Sequence, residues 1–291
     1  MIWKWLIISI LPFLPLFIYS IAYLEIFWEQ LFTFQEPDFS QTEYDYIIVG
    51  GGSAGCVLAR RLSDDGVSKV ALIEAGGTPS ILTSIPALAS FLQLSPFDWS
   101  YRTVRQDNAC LAMKDGRCLW PRGKMLGGSS NLNYMLYVRG DKKDYDDWAN
   151  ITKDDRWSFE QVLEYFKKAE GQEGRYKDDV ESHGTDGLFQ VKDASYTTDF
   201  ADIYHDMATK SGYRVGDINN KDGNLMNLFT ITPQVNLDQN SLRADTYRSY
   251  LKDVIHRDNL HIIKYATVTN VIFKTLDSEI HNLNCNEPLK L

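Results

Sequence analysis

Three glycines and one carboxylate have residue types and a spacing that are typical of a ligand-binding turn. Gly50, Gly52 and Gly55 match G-x-G-x-x-G, and Glu74 follows about 20 residues after the last of them. In this pattern the glycines permit a tight turn, a close approach to a pyrophosphate, and the packing of a helix on a strand. A carboxylate at the end of the second strand binds ribose hydroxyls and disfavours a 2′-phosphate. These residues predict a site for the ADP half of a dinucleotide other than NADP.

The sequence around these residues predicts a strand, a helix and a second strand, which together would position them. Residues 46–49 form an apolar, β-branched run, which predicts a parallel strand buried on both faces. Apolar residues at helical spacing follow at 54–62, so the N-terminus of a helix would face the phosphates. Residues 69–73 form a second strand that ends at Glu74. The segment predicts an α/β, Rossmann-like fold, and the alternative is a glycine turn in another α/β protein.

A second glycine-rich stretch lies at residues 120–147. Gly127 and Gly128 are followed by small polar side chains, of which Ser130, Asn131 and Asn133 are examples. Such a turn can approach a flat ring or a phosphate closely. Taken alone, the stretch is as consistent with a structural loop as with a ligand contact.

The two motifs together resemble those of the glucose–methanol–choline (GMC) flavoprotein oxidoreductases. They read DYIIVGGGSAGCVLA at 45–59 and WPRGKMLGGSSNLNYMLYVRG at 120–140. The segment CLAMKDGRCLWPRGK at 110–124 looks most like the arthropod, FAD-dependent glucose dehydrogenase branch. Further matches are HGTDG at 183–187, LRADTYRSYL at 242–251 and NLHIIKYATVTNVIF at 259–273. The resemblance implies a Rossmann-like FAD-binding domain together with part of a second, substrate-binding domain.

The resemblance also implies which residues hold the cofactor FAD. The glycine turn and Glu74 would hold its ADP portion, the second loop would lie along the pyrophosphate and flavin, and the backbone of Val268 would meet the adenine. The implied cofactor-binding residues are Gly50, Gly52, Ser53, Ala54, Gly55, Glu74, Ala75, Arg122, Met125, Gly128, Ser130, Asn131, Asn133 and Val268. This sequence departs from the family at Ala244 and Asp245, where a serine is usual, so the detail of that turn is open.

The resemblance and the composition together predict a domain organisation. We expect a signal peptide or signal anchor at 1–22, a linker at 23–43, and a divergent tail at 276–291. The FAD-binding domain is predicted to be discontinuous, at 44–170 and 240–275, with the partial substrate-binding domain at 171–239 between its parts.

No catalytic residue is assigned. In the family, a second signature and the catalytic histidine follow the last matching strand, and residues 274–291 match neither. The five histidines of this chain are scattered, and none falls where the family places its base. We therefore expect the chain to represent an N-terminal fragment, truncated before the catalytic region. On that expectation its strand edges and apolar faces would be uncovered and the isolated product poorly stable.

Composition and charge exclude other classes of protein. The chain of 291 residues carries a net charge of −9 and has no basic tract that would neutralise nucleic-acid phosphates. It has neither a C-x-x-C pair nor histidines at ligand spacing, so we predict no metal site.

The N-terminus and two cysteines predict the compartment. Lys4 precedes an apolar run that ends in the small residues Ser20 and Ala22, as in a signal peptide cleaved after Ala22. A signal anchor in the membrane and an interior helix are the alternatives. Cys110 and Cys118 flank a short polar loop that a disulfide could close, although two unpaired thiols are also consistent. We expect a secreted, extracellular protein.

These observations predict an oxidoreductase of the GMC family. It would be glucose dehydrogenase-like, moving a hydride from the CH–OH group of an alcohol or sugar to flavin N5 and then electrons to a quinone-type acceptor. A catalytically inactive, secreted FAD-binding or interaction protein is the alternative, and an NAD-dependent dehydrogenase is disfavoured. The sequence does not specify the alcohol, the oligomeric state, or whether the enzyme is an oxidase or a dehydrogenase.

Overall fold

The computed structural model describes residues 13–33, 42–223, 225, 228–230, 234–274 and 280–282. Its α-helices are α1 (Leu14–Thr33), α2 (Ser53–Leu62), α3 (Ala89–Leu92), α4 (Lys142–Thr152), α5 (Phe159–Ala169) and α6 (Phe200–Lys210). A π-helix spans Tyr247–Leu251, and short 3₁₀ helices span Ile81–Ser84, Pro86–Leu88, Lys114–Gly116, Gly128–Asn131 and Asp155–Trp157.

Among the residues that the structure describes, the strands are short and belong to five separate sheets. They are β1 (Tyr46–Val49), β2 (Val70–Ile73), β3 (Tyr101–Arg102), β4 (Leu119–Trp120), β5 (Glu170–Gln172), β6 (Phe189–Asp193), β7 (Arg214–Gly216), β8 (Leu228–Thr230), β9 (Gln234–Val235), β10 (Leu260–Ile263), β11 (Ile272–Lys274) and β12 (Ile280–Asn282).

The chain divides into two compact units. The first comprises Met1–Ser80, Phe91–Ser129 and Leu251–Leu291, and the second comprises Ile81–Ser90 and Ser130–Tyr250. Residues 81–90, 130–170 and 240–250, which the sequence prediction assigned to the FAD-binding domain, therefore fall in the second unit. Contacts among these three segments explain why they group together, because the Arg243 guanidinium donates to the carbonyls of Thr83 and Ser130.

A parallel sheet in the order β1-β2-β10 organises the first unit. Tyr46 and Leu260 both pair with Val70, and α2 forms the crossover between the parallel strands β1 and β2. Val70 and Leu72 on the central strand are completely buried, as expected for a parallel strand covered on both faces. The predicted α/β, Rossmann-like fold is confirmed.

The prediction that β1 is buried on both faces is wrong. Only Ile48 is buried, whereas Tyr46, Ile47 and Val49 are exposed. Among the described residues β1 is an edge strand with the single neighbour β2, so its apolar composition indicates a strand and not two covered faces.

The disulfide predicted from the sequence is present. Cys110 and Cys118 are bonded, with their Cα atoms 5.6 Å apart, and they close the far end of a hairpin formed by β3 and β4. The amide of Thr103 also donates to the carbonyl of Cys118 at 3.0 Å, and that of Gln106 to the carbonyl of Gly116 at 2.9 Å. These bonds extend the short ladder, so the hairpin is held together well beyond its two paired strands.

Helix α1 runs across the predicted boundary between the targeting segment and the linker. Its side chains at Ile18 and Ala22 are buried, and Glu29 accepts hydrogen bonds from Thr78, Lys264 and Tyr265. Burial alone would raise the pKa of Glu29, but these donors outweigh it and lower the pKa. Within the described residues, no helix combines the length and apolar character needed to cross a bilayer. Residues 1–12 and 34–41 lie outside the described part.

The second unit is mixed α and β around a buried polar network. Its larger sheet has the order β5-β6-β9, and Met135, Val235 and Leu237 form a small apolar cluster with Ala89.

Most of the predicted tail lies outside the described residues, but β12, within it, pairs antiparallel with β11.

The polar network of the second unit is centred on His183. Its Nδ1 lies 3.0 Å from Glu170 and its Nε2 lies 2.8 Å from Asp217. Arg139 completes the network, because its Nη2 donates to Glu170 at 2.5 Å. All four side chains are nearly or completely buried, so two cations and two carboxylates compensate one another away from water.

Candidate cofactor site

The glycine turn after β1 has the geometry that the sequence pattern predicts. Gly50 has a φ of +92°, which disfavours any residue with a side chain. A Cβ added to Gly55 would lie 2.0 Å from the carbonyl oxygen of Gly50, so α2 packs against the turn only because this residue is glycine. Gly52 is the N-cap of α2, and a Cβ there would meet nothing within 4 Å.

A cavity of about 310 Å³ opens beside this turn in the first unit. Its lining residues come from the turn, from the ends of β2 and β10, and from the second glycine-rich loop. They are Val49, Gly50, Gly52, Ile73, Glu74, Ala75, Trp99, Gly123, Gly128, Ala266, Thr267 and Val268. Six residues predicted from the sequence (Gly50, Gly52, Glu74, Ala75, Gly128 and Val268) therefore share one cavity at the carboxyl end of a parallel sheet, where open α/β folds bind ligands.

Glu74 has a role in this cavity that the sequence did not reveal. Its side chain is nearly buried, and its two carboxylate oxygens accept the amides of Gly51 at 2.7 Å and Gly76 at 2.8 Å. The carboxylate thus braces the glycine turn against the backbone that follows β2. Because a carboxylate has about four acceptor positions, those left over can accept the hydroxyls of a ribose.

The second glycine-rich loop packs directly on the turn. The amide of Gly127 donates to the carbonyl of Gly51 at 2.7 Å, and a Cβ on Gly128 would lie 2.8 Å from the Cα of Gly52. A Cβ on Gly76 would lie 2.0 Å from the carbonyl oxygen of Lys124. These approaches hold two segments that are distant in sequence at backbone contact, which only glycine permits.

Five predicted residues of the first unit do not line the cavity. Ser53 and Ala54 are exposed in the first turn of α2, where free backbone N–H groups and the positive end of the helix dipole attract an anion. Gly55 packs beneath the turn, and Met125 is completely buried. A fifth, Arg122, is exposed and its guanidinium lies over the ring of Trp120 at 5.6 Å.

The remaining predicted residues lie in the second unit and bind protein groups there. Ser130 contacts the Thr246 hydroxyl at 3.0 Å, and the Asn131 carbonyl oxygen accepts from Arg248 at 3.1 Å. Asn133 accepts from Arg243 at 2.6 Å. Their contact with a cofactor stays a prediction.

The turn in which this sequence departs from the family pattern is tightly paired. Asp245, completely buried, forms an ion pair with Arg248. Burial lowers the pKa of the neighbouring Arg243 to about 10, and its Nη2 has no hydrogen-bond partner among the described residues.

Trp99 and Gly123 line the cavity but were not predicted. The amide of Trp99 donates to the carbonyl of Arg122 at 2.8 Å, which holds both ends of the hairpin at the cavity rim. The Lys124 ammonium lies 4.6 Å from the centre of the Trp99 ring. Nothing in the local sequence distinguishes this tryptophan from a core residue, because its place is set by pairing across more than twenty residues.

The cavity fits a dinucleotide. The space over Gly52 is open, a helix N-terminus adjoins it, and one carboxylate lies at its edge. The chemistry of a metal centre is absent from the described residues, where no group of histidine, cysteine or acidic side chains could hold an ion. The lining can therefore bind phosphate, ribose and adenine with backbone amides and one carboxylate.

Comparison with known proteins shows which family this chain matches. Residues 44–288 match the family described as GMC oxidoreductase. The glucose dehydrogenase [FAD, quinone] of Drosophila pseudoobscura pseudoobscura is 38% identical over 81% of this chain and 36% of its own length. The oxygen-dependent choline dehydrogenase of Xanthomonas axonopodis pv. citri is 39% identical over 80% of this chain and 41% of its own.

Solved structures agree with the sequence matches. A pyridoxine 4-oxidase from Mesorbium loti is 30% identical, with a TM-score of 0.70, over 80% of this chain and 44% of that one. A formate oxidase is 26% identical, with a TM-score of 0.61, over 76% of this chain and 38% of that one. The chain thus spans well under half the length of these relatives.

Proposed function

Because this chain belongs to the GMC oxidoreductase family, we propose that its first unit binds FAD as part of an oxidoreductase acting on CH–OH groups. The cavity lined by Gly52, Glu74 and Val268 carries the proposal, since it combines an open glycine turn, a ribose acceptor and a helix N-terminus. Bound FAD would supply a hydride acceptor at its flavin N5.

The residues of this chain bind and orient in this proposal. The amides at the start of α2 face the pyrophosphate, and Glu74 accepts from the ribose while keeping the turn rigid through Gly51 and Gly76. The packing of Gly128 on Gly52 holds the second loop against the glycine turn. Val268 lines the cavity, and we propose that the backbone there contacts the adenine.

We propose an alcohol or a sugar as the substrate and a quinone-type acceptor for the electrons. The names of the relatives support this class, since they include a glucose dehydrogenase [FAD, quinone], choline dehydrogenases and an alcohol dehydrogenase [acceptor]. The individual alcohol is not part of the proposal.

One observation favours a second candidate function. No histidine of the described residues lines the cavity, and His183, in the second unit, is enclosed by Glu170 and Asp217. A general base must reach the proton that it removes. A secreted protein that binds FAD without catalysis is therefore the second candidate.

Binding of the purified full chain to FAD tests the proposal. We expect micromolar or tighter binding of FAD by calorimetry, one equivalent per chain, and the visible absorption of a bound flavin. NAD should bind at least about 100-fold more weakly, because the proposed contacts of the second loop are to the flavin, which NAD lacks. Tighter binding of NAD than of FAD contradicts the proposal. Dye reduction by alcohols or sugars then separates the enzyme from the inactive binder.

We also propose export from the cytoplasm, with membrane anchoring through the N-terminus as the alternative. The Cys110–Cys118 disulfide supports an oxidising compartment. N-terminal sequencing of protein recovered from the culture medium of secreting cells should find Tyr23 first. An intact Met1 on membrane-bound protein would support the anchor, and an intact Met1 on cytoplasmic protein contradicts export.

A further inference from the structure

The hairpin formed by residues 101–120 belongs to the first unit and has no buried residue. Its only regular pairing is between the two-residue strands β3 and β4, yet the Cys110–Cys118 disulfide closes its far end. The amide of Met113 donates to the carbonyl of Cys110 at 2.9 Å, which shapes the tip into a compact turn. The backbone of this hairpin is therefore held by the disulfide and by hydrogen bonds at both its base and its tip.

Basic side chains are concentrated on this hairpin and its base. Five exposed cations stand against two carboxylates, Asp107 and Asp115, although the whole chain carries −9. The cations are Arg102, Arg105, Lys114, Arg117 and Arg122. None of the five forms an ion pair with any part of the chain that the structure describes, whereas Arg139, Arg248 and Arg257 each face a carboxylate. The hairpin is thus a local region of uncompensated positive charge.

Large apolar side chains are exposed between these cations. Val104 and Leu111 are 77% and 75% exposed, Met113 is 53% exposed, and Trp120 at the hairpin base is 50% exposed. Leu111 and Met113 lie inside the disulfide-closed loop beside Lys114. These three kinds of side chain match the layers of a lipid surface. The apolar groups suit the acyl chains, the cations suit the anionic headgroups, and the tryptophan suits the interface between them.

We propose that this hairpin is a docking surface for anionic phospholipid exposed on the outer face of a membrane, which is the face that an exported protein meets. The cations bind the headgroups, while Leu111 and Met113 enter the boundary between headgroups and acyl chains. The charge of the hairpin is complementary to such a surface, whereas the −9 of the whole chain is repelled by it, so docking is confined to this hairpin. Since Trp99 and Gly123 at the hairpin base line the cofactor cavity, docking brings that cavity to the membrane.

Vesicle co-sedimentation of the full chain tests this proposal. We expect binding to vesicles of phosphatidylcholine with about one third phosphatidylserine, and weaker binding at high salt because the attraction is screened. The triple variant Arg105→Gln, Lys114→Gln, Arg117→Gln should bind roughly 100-fold more weakly, since each cation near an anionic surface contributes roughly fivefold. The variant Leu111→Ser, Met113→Ser should lose roughly 10-fold or more.

A matched variant controls for net charge. Lys168→Gln, Lys177→Gln, Lys252→Gln removes the same charge from exposed sites outside the hairpin and should bind the vesicles like the parent chain. Equal loss in both triple variants overturns the proposal. So does binding to pure phosphatidylcholine that the hairpin variant leaves unchanged, because the apolar N-terminus would then carry it. Binding to soluble polyglutamate without binding to anionic vesicles overturns it in favour of an acidic protein.

Discussion

Replacing Gly52 with valine is expected to abolish FAD binding without unfolding the protein. The backbone of Gly52 is extended, with φ −72° and ψ −166°, which a β-branched residue adopts readily. A Cβ there meets no protein atom within 4 Å, so the new side chain projects into the cavity that Gly52 lines. We expect at least about 100-fold weaker binding, which is about 3 kcal/mol, by calorimetry with FAD.

Two further glycine variants make this result specific. Gly216→Val, on β7 in the second unit, introduces the same side chain where the nearest atom is 3.7 Å away, and it should bind FAD like the parent chain. Gly55→Ala should lose stability as well as binding, because its Cβ would lie 2.0 Å from the carbonyl oxygen of Gly50. Undiminished FAD binding by Gly52→Val would show that this cavity is not the site.

Removing the charge of Glu170 is expected to cost about 3–5 kcal/mol of unfolding free energy. The carboxylate is completely buried between Arg139 and His183, at 2.5 Å and 3.0 Å. In Glu170→Gln both cations remain in the interior with Asp217 as their only carboxylate, so the loss is the desolvation of an uncompensated charge. Urea unfolding followed by circular dichroism at neutral pH measures the difference.

Glu164→Gln is the control for this experiment. Glu164 lies on α5 with a side chain 72% exposed, 3.7 Å from Lys167. Solvent screens such a pair, so its loss should change the unfolding free energy by less than about 1 kcal/mol. Similar effects of the two substitutions would contradict the assignment of a buried, charge-compensated network.

The pH dependence of stability gives a second measure of the same network. Burial alone would lower the pKa of His183, but hydrogen bonds and charges from Asp217 and Glu170 outweigh it and raise the pKa to about 9. A raised pKa stabilises the folded protein fully below the unfolded value of about 6.5, and this stabilisation falls as the pH rises to about 9. In His183→Gln, the urea midpoint should fall less over this interval than in the parent chain.

The sequence predicts the cofactor turn well because its information is local. Glycines at 50, 52 and 55 constrain φ and close approach within six residues, and the apolar run at 46–49 determines that a strand precedes them. For this reason Gly50 and Gly52 line the cavity as predicted, whereas Gly128 and Val268 were predicted through the family resemblance. The burial of β1 was predicted wrongly, because an apolar composition indicates a strand but does not show whether the strand lies at the edge or in the middle of a sheet.

Two properties of the site depended on contacts that are distant in sequence. The bracing of Gly51 and Gly76 by Glu74 requires a particular side-chain direction. The position of Trp99 on the cavity wall requires pairing with Arg122. The boundary of the second unit also depends on such contacts, because the Arg243 guanidinium donates to the carbonyl of Thr83, which lies 160 residues earlier in the sequence.

By itself, then, the sequence determined the family and the dinucleotide turn, because each depends on residue types at short, fixed spacing; it left the pairing of Cys110 with Cys118 open, and the structure decided it. Only the tertiary structure decided which carboxylate braces the turn, which cations stay unpaired on the hairpin, and which charges compensate one another around His183. Those outcomes depend on distances between residues far apart in the chain, and folding sets such distances through the packing of the whole unit.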